Sequence, residues 1–556
     1  MKKLISCFIL CAMLLTVIPF SVSANTTVIE IGTPDEMVAF GEALVEGAYA
    51  TGDNIVKLTD NIDMDGKTWA GKGTFSGTFD GQGYTISNLT ITGTTEGTGL
   101  FGQATGILKN FNLVTANVTN TQHRTGIVVG KTAGELTVSN VNVCEAKLTS
   151  SSKGHVGGLI GAATYTTTVK NCFADIEITA GASVGGVVGS WVPAAEGATL
   201  TIQNCISQGL TNSSKSYGSG ILGYVQFEKI SAITISDCMV KEYTITNSDT
   251  SNSNGIGGII GHLNIKCAKA GTVNVDILRC SVVGFEIDGK ANSPADTGLL
   301  LGRLYGYDSN IATLDLDVSD VLLSGKCAAG ESYSAATIAY IESPTGLIDI
   351  SIENSIVDYT NDSIFETTLA YYAKTAAGDV LNATNVLTNG NSDAVKFSVE
   401  GSTLSGTRNV TTIGDTYDVS AWRNWTPASA FEDNLPRPTA VCADYVGYQV
   451  RDNDVRLVFG IRDVNVAALA ELGAKITHGE QTATATVPAV YTQIKAGTNV
   501  CTAESVGYDY FYVIEFTDMF DGETTSYDFK FEATYKIGTK SYVNTTTDEV
   551  TVEKKQ

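Results

Sequence analysis

The feature that most constrains this chain is a phrase that returns along it: an apolar residue, a spacer, Asn or Asp, then a residue that is usually apolar or Cys. It reads Ile86-Ser87-Asn88-Leu89, Leu108-Lys109-Asn110-Phe111, Val138-Ser139-Asn140-Val141, Val169-Lys170-Asn171-Cys172, Ile202-Gln203-Asn204-Cys205 and Ile235-Ser236-Asp237-Cys238. Looser copies stand at Arg279-Cys280, Asp320-Val321, Asn354-Ser355 and Asn385-Val386. After a short first step from Asn88 to Asn110, the phrase recurs roughly every 30 to 40 residues. A unit of that size cannot bury its own apolar face, so the period predicts a repeat architecture in which neighbouring units complete one another's core. Stacked copies would align the Asn side chains in a column at a turn, hydrogen-bonding local backbone and each other. The next residue would point inward, giving an inner column of Leu89, Phe111, Val141, Cys172, Cys205, Cys238 and Cys280, all types that prefer burial.

A second phrase alternates with the first: Gly99-Leu100-Phe101-Gly102, Gly126-Ile127-Val128-Val129-Gly130, Gly157-Gly158-Leu159-Ile160-Gly161, Gly185-Gly186-Val187-Val188-Gly189, Gly220-Ile221-Leu222-Gly223, Gly257-Gly258-Ile259-Ile260-Gly261 and Gly298-Leu299-Leu300-Leu301-Gly302. Glycines around a short aliphatic run suit a strand entered and left by sharp corners. With two marked strands and room for a third in each unit, the expectation is an all-β chain whose main part, residues 25–435, is a right-handed parallel β-helix solenoid. Pro34 to Val45 carries apolar residues at helical spacing behind Thr33, an N-cap type, and predicts a short capping helix over 34–47. Beyond residue 436 the pattern changes to alternation of large apolar and polar residues, as in Val455–Ile461, Tyr508–Phe516 and Phe529–Lys536. That is the mark of half-buried antiparallel strands and predicts a small β-sandwich over 436–556, reached through the linker Leu435-Pro436-Arg437-Pro438.

The first residues read as a secretory signal, 1–24: Lys2 and Lys3, an apolar stretch from Leu4 to Phe20, then Val22-Ser23-Ala24 as a small-residue cleavage site. The reading is therefore of a secreted protein, extracellular or held non-covalently at the cell surface. No later stretch is apolar and long enough to span a bilayer, so no membrane insertion is expected. The formal net charge of −24 argues against nucleic acid as a partner. Asp63, Asp65 and Asp80 have the turn chemistry of Asx residues and, as the other reading, calcium ligand types, but no EF-hand loop surrounds them. No metal and no cofactor is expected. Nine cysteines follow the signal, at least four of them in the inner column, and parallel Cβ vectors in stacked strands favour buried thiols over a disulfide series.

The segment Phe79-Asp80-Gly81-Gln82-Gly83-Tyr84-Thr85-Ile86-Ser87-Asn88-Leu89, with the Gly-Gly-aliphatic-aliphatic-Gly and Asn-Cys phrases, resembles the GLUG-repeat proteins secreted by bacteria, over residues 30 to about 305. The resemblance implies a right-handed β-helix used at the cell surface or in secreted binding proteins. Relatives that carry a zinc peptidase need His-Glu-x-x-His; the four histidines here, His123, His155, His262 and His478, form no such motif, so the peptidase is not carried over. The C-terminal pattern is similar to immunoglobulin-like modules of clostridial secreted proteins.

Function is sought where the repeats differ. The stretch from the last Gly of each glycine phrase to the next ladder residue lengthens along the chain, from Gly102–Asn110 in the first copy to Gly302–Asp320 in the last, where it has more than doubled. Insertions in a repeat protein collect on one face, often the binding face. They carry Trp191, Tyr224, Phe227, Tyr305 and Tyr307, the candidate ligand-binding residues, whose rings suit stacking on sugars or docking a protein. The expected function is a non-catalytic binding or adhesion protein recognising an extracellular glycan or a host or cell-surface protein. The alternatives are a polysaccharide-degrading β-helix enzyme, lyase or glycoside hydrolase, for which Asp315, Asp317, Asp349 and Glu353 are the outward carboxylates, and a structural spacer. No nucleophile, base and orienting group assemble in the sequence, so no catalytic residue is assigned.

Overall fold

The computed structural model describes residues 28–412 and 443–553, apart from short internal segments. The expected signal segment 1–24 and the expected linker at 435–438 lie outside the described residues. Strand β1 (Val28–Ile31) leads into helix α1 (Pro34–Val45), which returns to β2 (Asn54–Leu58), and β1 and β2 pair in parallel. Thr33 and Glu36 form a capping box: the Glu36 amide donates to Thr33 Oγ1 at 3.3 Å, and the Thr33 amide donates to Glu36 Oε2 at 3.0 Å. The buried face of α1, Met37, Phe40, Gly41 and Leu44, enters the main core, where the Phe40 ring meets Tyr49, Trp69, Phe75, Phe79 and Phe101.

From there each strand pairs in parallel with the strand one repeat earlier and one repeat later. The register runs Val138↔Val169, Val169↔Ile202, Ile202↔Ile235, Ile235↔Ile277 and Ile277↔Val318. Among the described residues thirty strands belong to one hydrogen-bonded sheet, and a second sheet of six very short strands lies beside it, from Thr125–Gly126 to Ala295–Gly298. The expected right-handed β-helix solenoid with a capping helix is corrected to an all-β closed parallel barrel, about 65% strand with one helix among the described residues, closed in the sense that its wall encloses the main apolar core. Long strands, Phe101–Val114 of 14 residues and Val129–Ser150 of 22, run through corners that the repeat spacing divides, so the faces join into one wall. The helix, too, is the crossover between β1 and β2 rather than a lid added over a finished first repeat.

The Asn column exists, and its backbone gives the reason. Asn110, Asn140, Asn171, Asn204, Asp237, Arg279, Asp320, Asn354 and Asn385 all have positive φ, between 47° and 59°. Among residues with a side chain, Asn and Asp tolerate this left-handed conformation best. Their side chains then join successive repeats: Asn140 Nδ2 donates to Asn110 Oδ1 at 2.9 Å, Asn171 to Asn140 at 3.1 Å and Asn204 to Asn171 at 3.1 Å. Where the column changes to Arg279, its guanidinium grips the Asp237 carboxylate with two bonds, of 2.7 and 2.8 Å. Asn88 belongs elsewhere. The register Ser87↔Val114 puts it beside Thr115, in a second left-handed column with Glu145, while Asp80 stands below Asn110 and accepts its amide at 3.0 Å. The short first step of the phrase, from Asn88 to Asn110, is thus a jump between two columns.

The inner column is buried as expected, and Cys172, Cys205, Cys238 and Cys280 are free thiols. Each donates to the carbonyl two residues before it, at 3.2 to 3.4 Å. The aliphatic runs of the glycine phrases are not strands of their own. They straddle the corner between the six-stranded sheet and the main wall, so the first Gly ends one strand and the last aliphatic residue opens the next. The described residues of 443–553 form antiparallel ladders: a four-stranded sheet, a five-stranded sheet and a two-stranded hairpin. A separate small core holds Val458, Ala503, Phe511 and Val513.

Replacing Asn171 tests the column. Asn171→Ala loses two side-chain bonds and places a methyl-bearing residue at φ 54°, which should lower stability by about 2 to 3 kcal/mol. Asn171→Gly loses the same bonds without the backbone strain and should cost about 1 to 2 kcal/mol less than Ala. Denaturant midpoints of the two variants measure the difference, and equal midpoints would contradict a strained corner.

Candidate functional site

The glycine corners bring two columns of side chains face to face. A methyl placed at Gly157 would lie 1.9 Å from the Ile160 carbonyl oxygen and 2.5 Å from the Gly189 nitrogen. One at Gly302 would lie 2.2 Å from the Ile256 nitrogen. Backbone therefore packs on backbone at the corner, and the residues just outside the glycines converge. On the main wall the residue after each phrase forms the column Lys131, Ala162, Ser190, Tyr224, His262, Arg303, Tyr340. On the short sheet, His155 is in register with Ser183, Tyr217 immediately precedes the strand Gly218–Ser219, and Asp296 is in register with Gly255.

The two columns touch in several places. The Tyr217 ring lies 5.3 Å from Tyr224 and 4.3 Å from His262, and the His155 ring stacks 5.5 Å from Tyr224. Arg303 Nη1 donates to Asp296 Oδ2 at 3.1 Å, and its Nη2 lies 3.7 Å from Glu342 Oε2. The guanidinium lies over Tyr340 at 4.4 Å and over Tyr305 at 5.5 Å. Two positions further along the same strands come Gln226, Asn264, Tyr305 and Glu342, again register neighbours. Tyr307 follows directly, edge to face with Tyr305 at 4.8 Å and with Lys266 above its ring at 5.5 Å. At the other end Arg124 and Lys131 share Glu96, at 2.5 and 3.8 Å.

Burial sets the protonation of this corner. His262 is 4% exposed, and burial holds it neutral, its pKa pushed down to about 3. Burial likewise lowers His155 to about 4, helped by Arg124 and His123. Asp296 is 3% exposed, and burial raises its carboxyl to about 8 in spite of the opposing pull of Arg303. Tyr340 is raised beyond the ordinary phenol range by burial and by Glu342, to which its hydroxyl donates at 3.0 Å.

Of the five aromatic residues singled out in the sequence, the structure brings three together. Tyr224, Tyr305 and Tyr307 stand half-buried on this corner. Trp191 and Phe227 are corrected to core residues: both are fully buried, 5.8 Å apart and edge to face, with the indole nitrogen donating to the Tyr165 carbonyl at 3.2 Å. The reason is strand parity. Trp191 is in register with Val225, which alternates inward from Tyr224, and Phe227 shares that inward set. His155, Tyr217, His262, Asn264, Asp296, Arg303, Tyr340 and Glu342 were missed in the sequence. Most of them flank the glycine phrases at fixed offsets, and comparing those offsets from repeat to repeat would have exposed them.

The carboxylates considered for catalysis lie on another face. Asp315 is in register with Asp349, and Asp276 with Asp317. Burial and the surrounding carboxylates raise Asp317 above the usual range. Asp63 and Asp80 serve turns: Asp63 Oδ1 accepts the Asp65 amide and Asn88 Nδ2, and Asp80 Oδ1 accepts the Gln82 amide. Among the described residues no three His, Cys, Asp or Glu are placed to hold a metal ion.

No protein-family model matches the chain, and no curated protein matches it at a significant level. Among solved structures it is similar to a chain described as "a putative immunoglobulin A1 protease from Bacteroides ovatus", with 19% identity and a TM-score of 0.37 over 49% of this chain and 79% of that one. At that score the likeness carries no inference about fold or activity.

Two outcomes follow. Trp191→Ala opens a core cavity and should cost about 3 to 5 kcal/mol, whereas Tyr305→Ala on the half-buried corner should cost about 1 kcal/mol or less; denaturant midpoints check both. For Asp296, the folded pKa of about 8 stands above the ordinary 3.8, so the folded state keeps a proton that the unfolded chain has released. Stability should therefore fall as pH rises through the window from about 4 to about 8. His262 acts oppositely, losing stability only as pH drops below its ordinary 6.5. Unfolding titrations between pH 6.5 and 9 isolate Asp296, and the Asp296→Asn variant should lose most of the slope seen in the wild type.

Proposed function

We propose that this chain is a secreted or cell-surface binding protein of the GLUG-repeat kind, which recognises an extracellular glycan, or the glycan of a host or cell-surface protein, on the corner formed by Tyr217, Tyr224, Tyr305 and Tyr307. The observation that carries the reading is the gathering of half-buried rings beside buried polar groups on one rigid wall, the mixture that sugar rings use for stacking and hydrogen bonding. The export signal at 1–24 belongs to the same reading. Each ring contributes about 1 kcal/mol, so binding should be weak per site and strengthened by several contacts or copies.

A second reading, cleavage of a polysaccharide, has one observation in its favour. Asp296 is held protonated beside the second carboxyl of Glu342, with Arg303 between them, and glycoside hydrolysis needs one carboxylic acid and one carboxylate.

Residues 25–556 applied to a glycan array should bind a defined set of sugars. The Tyr305→Ala, Tyr307→Ala double variant should bind at least tenfold more weakly with its melting temperature nearly unchanged. Absence of any glycan binding by the wild type would overturn the proposal, and release of shorter chains from a polysaccharide would replace it with the enzyme reading.

A further inference from the structure

We infer that an open groove near the N-terminal end of the main wall, across the strands that carry Asn54, Gly77 and Gly106, is a second glycan site and takes a neutral disaccharide. The inference rests on the glycan-binding proposal and adds to the tyrosine corner a site built from other residues.

The groove follows from how these strands bend. Asn54, Gly77 and Gly106 are register neighbours on Asn54–Leu58, Thr74–Asp80 and Phe101–Val114. Gly77 and Gly106 have φ of 134° and 101°, and a methyl on Gly106 would lie 2.2 Å from the Gly77 carbonyl oxygen. Glycine alone lets the backbone turn here and stack directly on the strand before it. The bend opens a groove of about 490 Å³. Ile55, Thr78 and Ile107 line it just after the bend in each strand, and Ser76 and Thr105 line it just before. Its volume falls in the range of roughly 300 to 1,000 Å³ usual for small-molecule sites. Every lining residue is half-buried or exposed, so the groove is open to solvent. Three strands spaced by about 4.8 Å give it a length of about 10 Å, enough for a disaccharide.

The polar side chains of the lining are chiefly acceptors. Ser76 Oγ gives its proton to the Gly52 carbonyl at 3.0 Å, and Thr105 Oγ1 gives its own to the Glu135 carbonyl at 2.9 Å. Asn54 Nδ2 donates to the carbonyls of Thr51 at 3.1 Å and Ser76 at 2.7 Å, which fixes the amide and leaves Oδ1 to accept. Asp53 is an exposed carboxylate. Among these side chains the Thr78 hydroxyl alone is left to donate. The charged group of an acidic sugar has no proton for such a lining and meets Asp53. An ammonium would satisfy Asp53, but Lys57 and Lys109, the register neighbours of Asp80 two residues beyond the isoleucines, oppose a further positive charge. Hydroxyls spread around a neutral sugar donate to acceptors on all three strands. The isoleucines supply an apolar face for its C–H groups. Ile107 is 41% exposed, and its outward column continues as Thr137, Thr168, Thr201 and Thr234. Isoleucine thus stands outward at the groove and threonine where the groove has ended.

The test uses the full secreted chain, residues 25–556, with 13C-labelled isoleucine δ1 methyls, the Ile55 and Ile107 signals being assigned through Ile55→Val and Ile107→Val. The probes are cellobiose, maltose and N,N′-diacetylchitobiose, with digalacturonate as the anionic comparison and chitobiose, its amines free, as the cationic one. The expected result is that a neutral disaccharide shifts both methyl signals together and saturably. Thr78→Arg, which puts a long side chain into the groove, should weaken that binding at least tenfold, whereas the Tyr305→Ala, Tyr307→Ala double variant should keep the shifts at wild-type size. Should Thr78→Arg fail to fold, the wild-type shifts decide alone. A disaccharide that binds while both methyls stay unmoved overturns the groove site and leaves the tyrosine corner standing. Loss of the shifts in the double tyrosine variant overturns a separate site. Larger shifts with digalacturonate or chitobiose overturn the neutral-sugar assignment. Methyls unmoved by every probe overturn the groove site, while the glycan array still judges the tyrosine corner.

Discussion

An asparagine side chain carries a donor and an acceptor on an arm short enough to sit beside its own backbone, and its residue tolerates the left-handed conformation that most others avoid. Both properties are used at one corner of each repeat. The backbone turns at φ near 50°, and the amide passes a hydrogen bond from one repeat to the next, from Asp80 through Asn110, Asn140 and Asn171 to Asn204. A parallel ladder slipped by one residue would turn every inward side chain outward. The column opposes that slip, because an amide out of step has no partner. The charged pair Asp237–Arg279 continues the same function with a stronger bond where the interval between repeats lengthens.

Register, once fixed, decides what lies on each surface. Inward positions carry Val138, Val169, Ile202, Ile235 and Ile277 in one stack and the cysteines in another. At the glycine corner the backbones of the main wall and the short sheet approach so closely that a Cβ at Gly157 or Gly302 would lie 1.9 or 2.2 Å from a backbone atom, and the columns on either side converge. Tyr217 meets His262 and Asp296 meets Arg303 only because these residues lie at matching heights on two different sheets. The chemistry of the corner follows from its depth. Water is kept from His262 and Asp296, so both are neutral near pH 7, and Arg303 remains the charged centre of the group.

The Asn column was legible in the sequence because its period stays nearly constant from Asn110 through Asn140, Asn171 and Asn204 to Asp237, and α1 was legible because Thr33, an N-cap type, stands ahead of apolar residues at helical spacing. Other parts were not. The step from Asn88 to Asn110 mixes two left-handed columns, which only pairing partners can separate, and so Asn88 was placed in the wrong one. The closure of the wall depends on strands that continue through corners, as Val129–Ser150 does, and nothing local to Glu145 or Gly134 announces that. Trp191 and Phe227 looked like surface rings because they fall in lengthened segments, yet an insertion into a strand keeps the two-residue alternation and sends every second side chain inward. The polar corner escaped notice because its members are far apart in sequence, Asp296 with Glu342 and Tyr217 with His262, and each alone is an ordinary residue beside a glycine.

Native-state hydrogen exchange of the wild-type chain tests the central role of the corner column most directly. The backbone amides of Asn171, Asn204, Asp237, Arg279 and Asp320 each donate to a carbonyl of the following repeat at 2.9 to 3.1 Å. If the column holds the register, these corner amides exchange as slowly as those of the strands they join, through the same cooperative opening. Corner amides that exchange at loop rates while Val169, Ile202 and Ile235 stay protected would show that the strands alone hold the register, and would contradict the account.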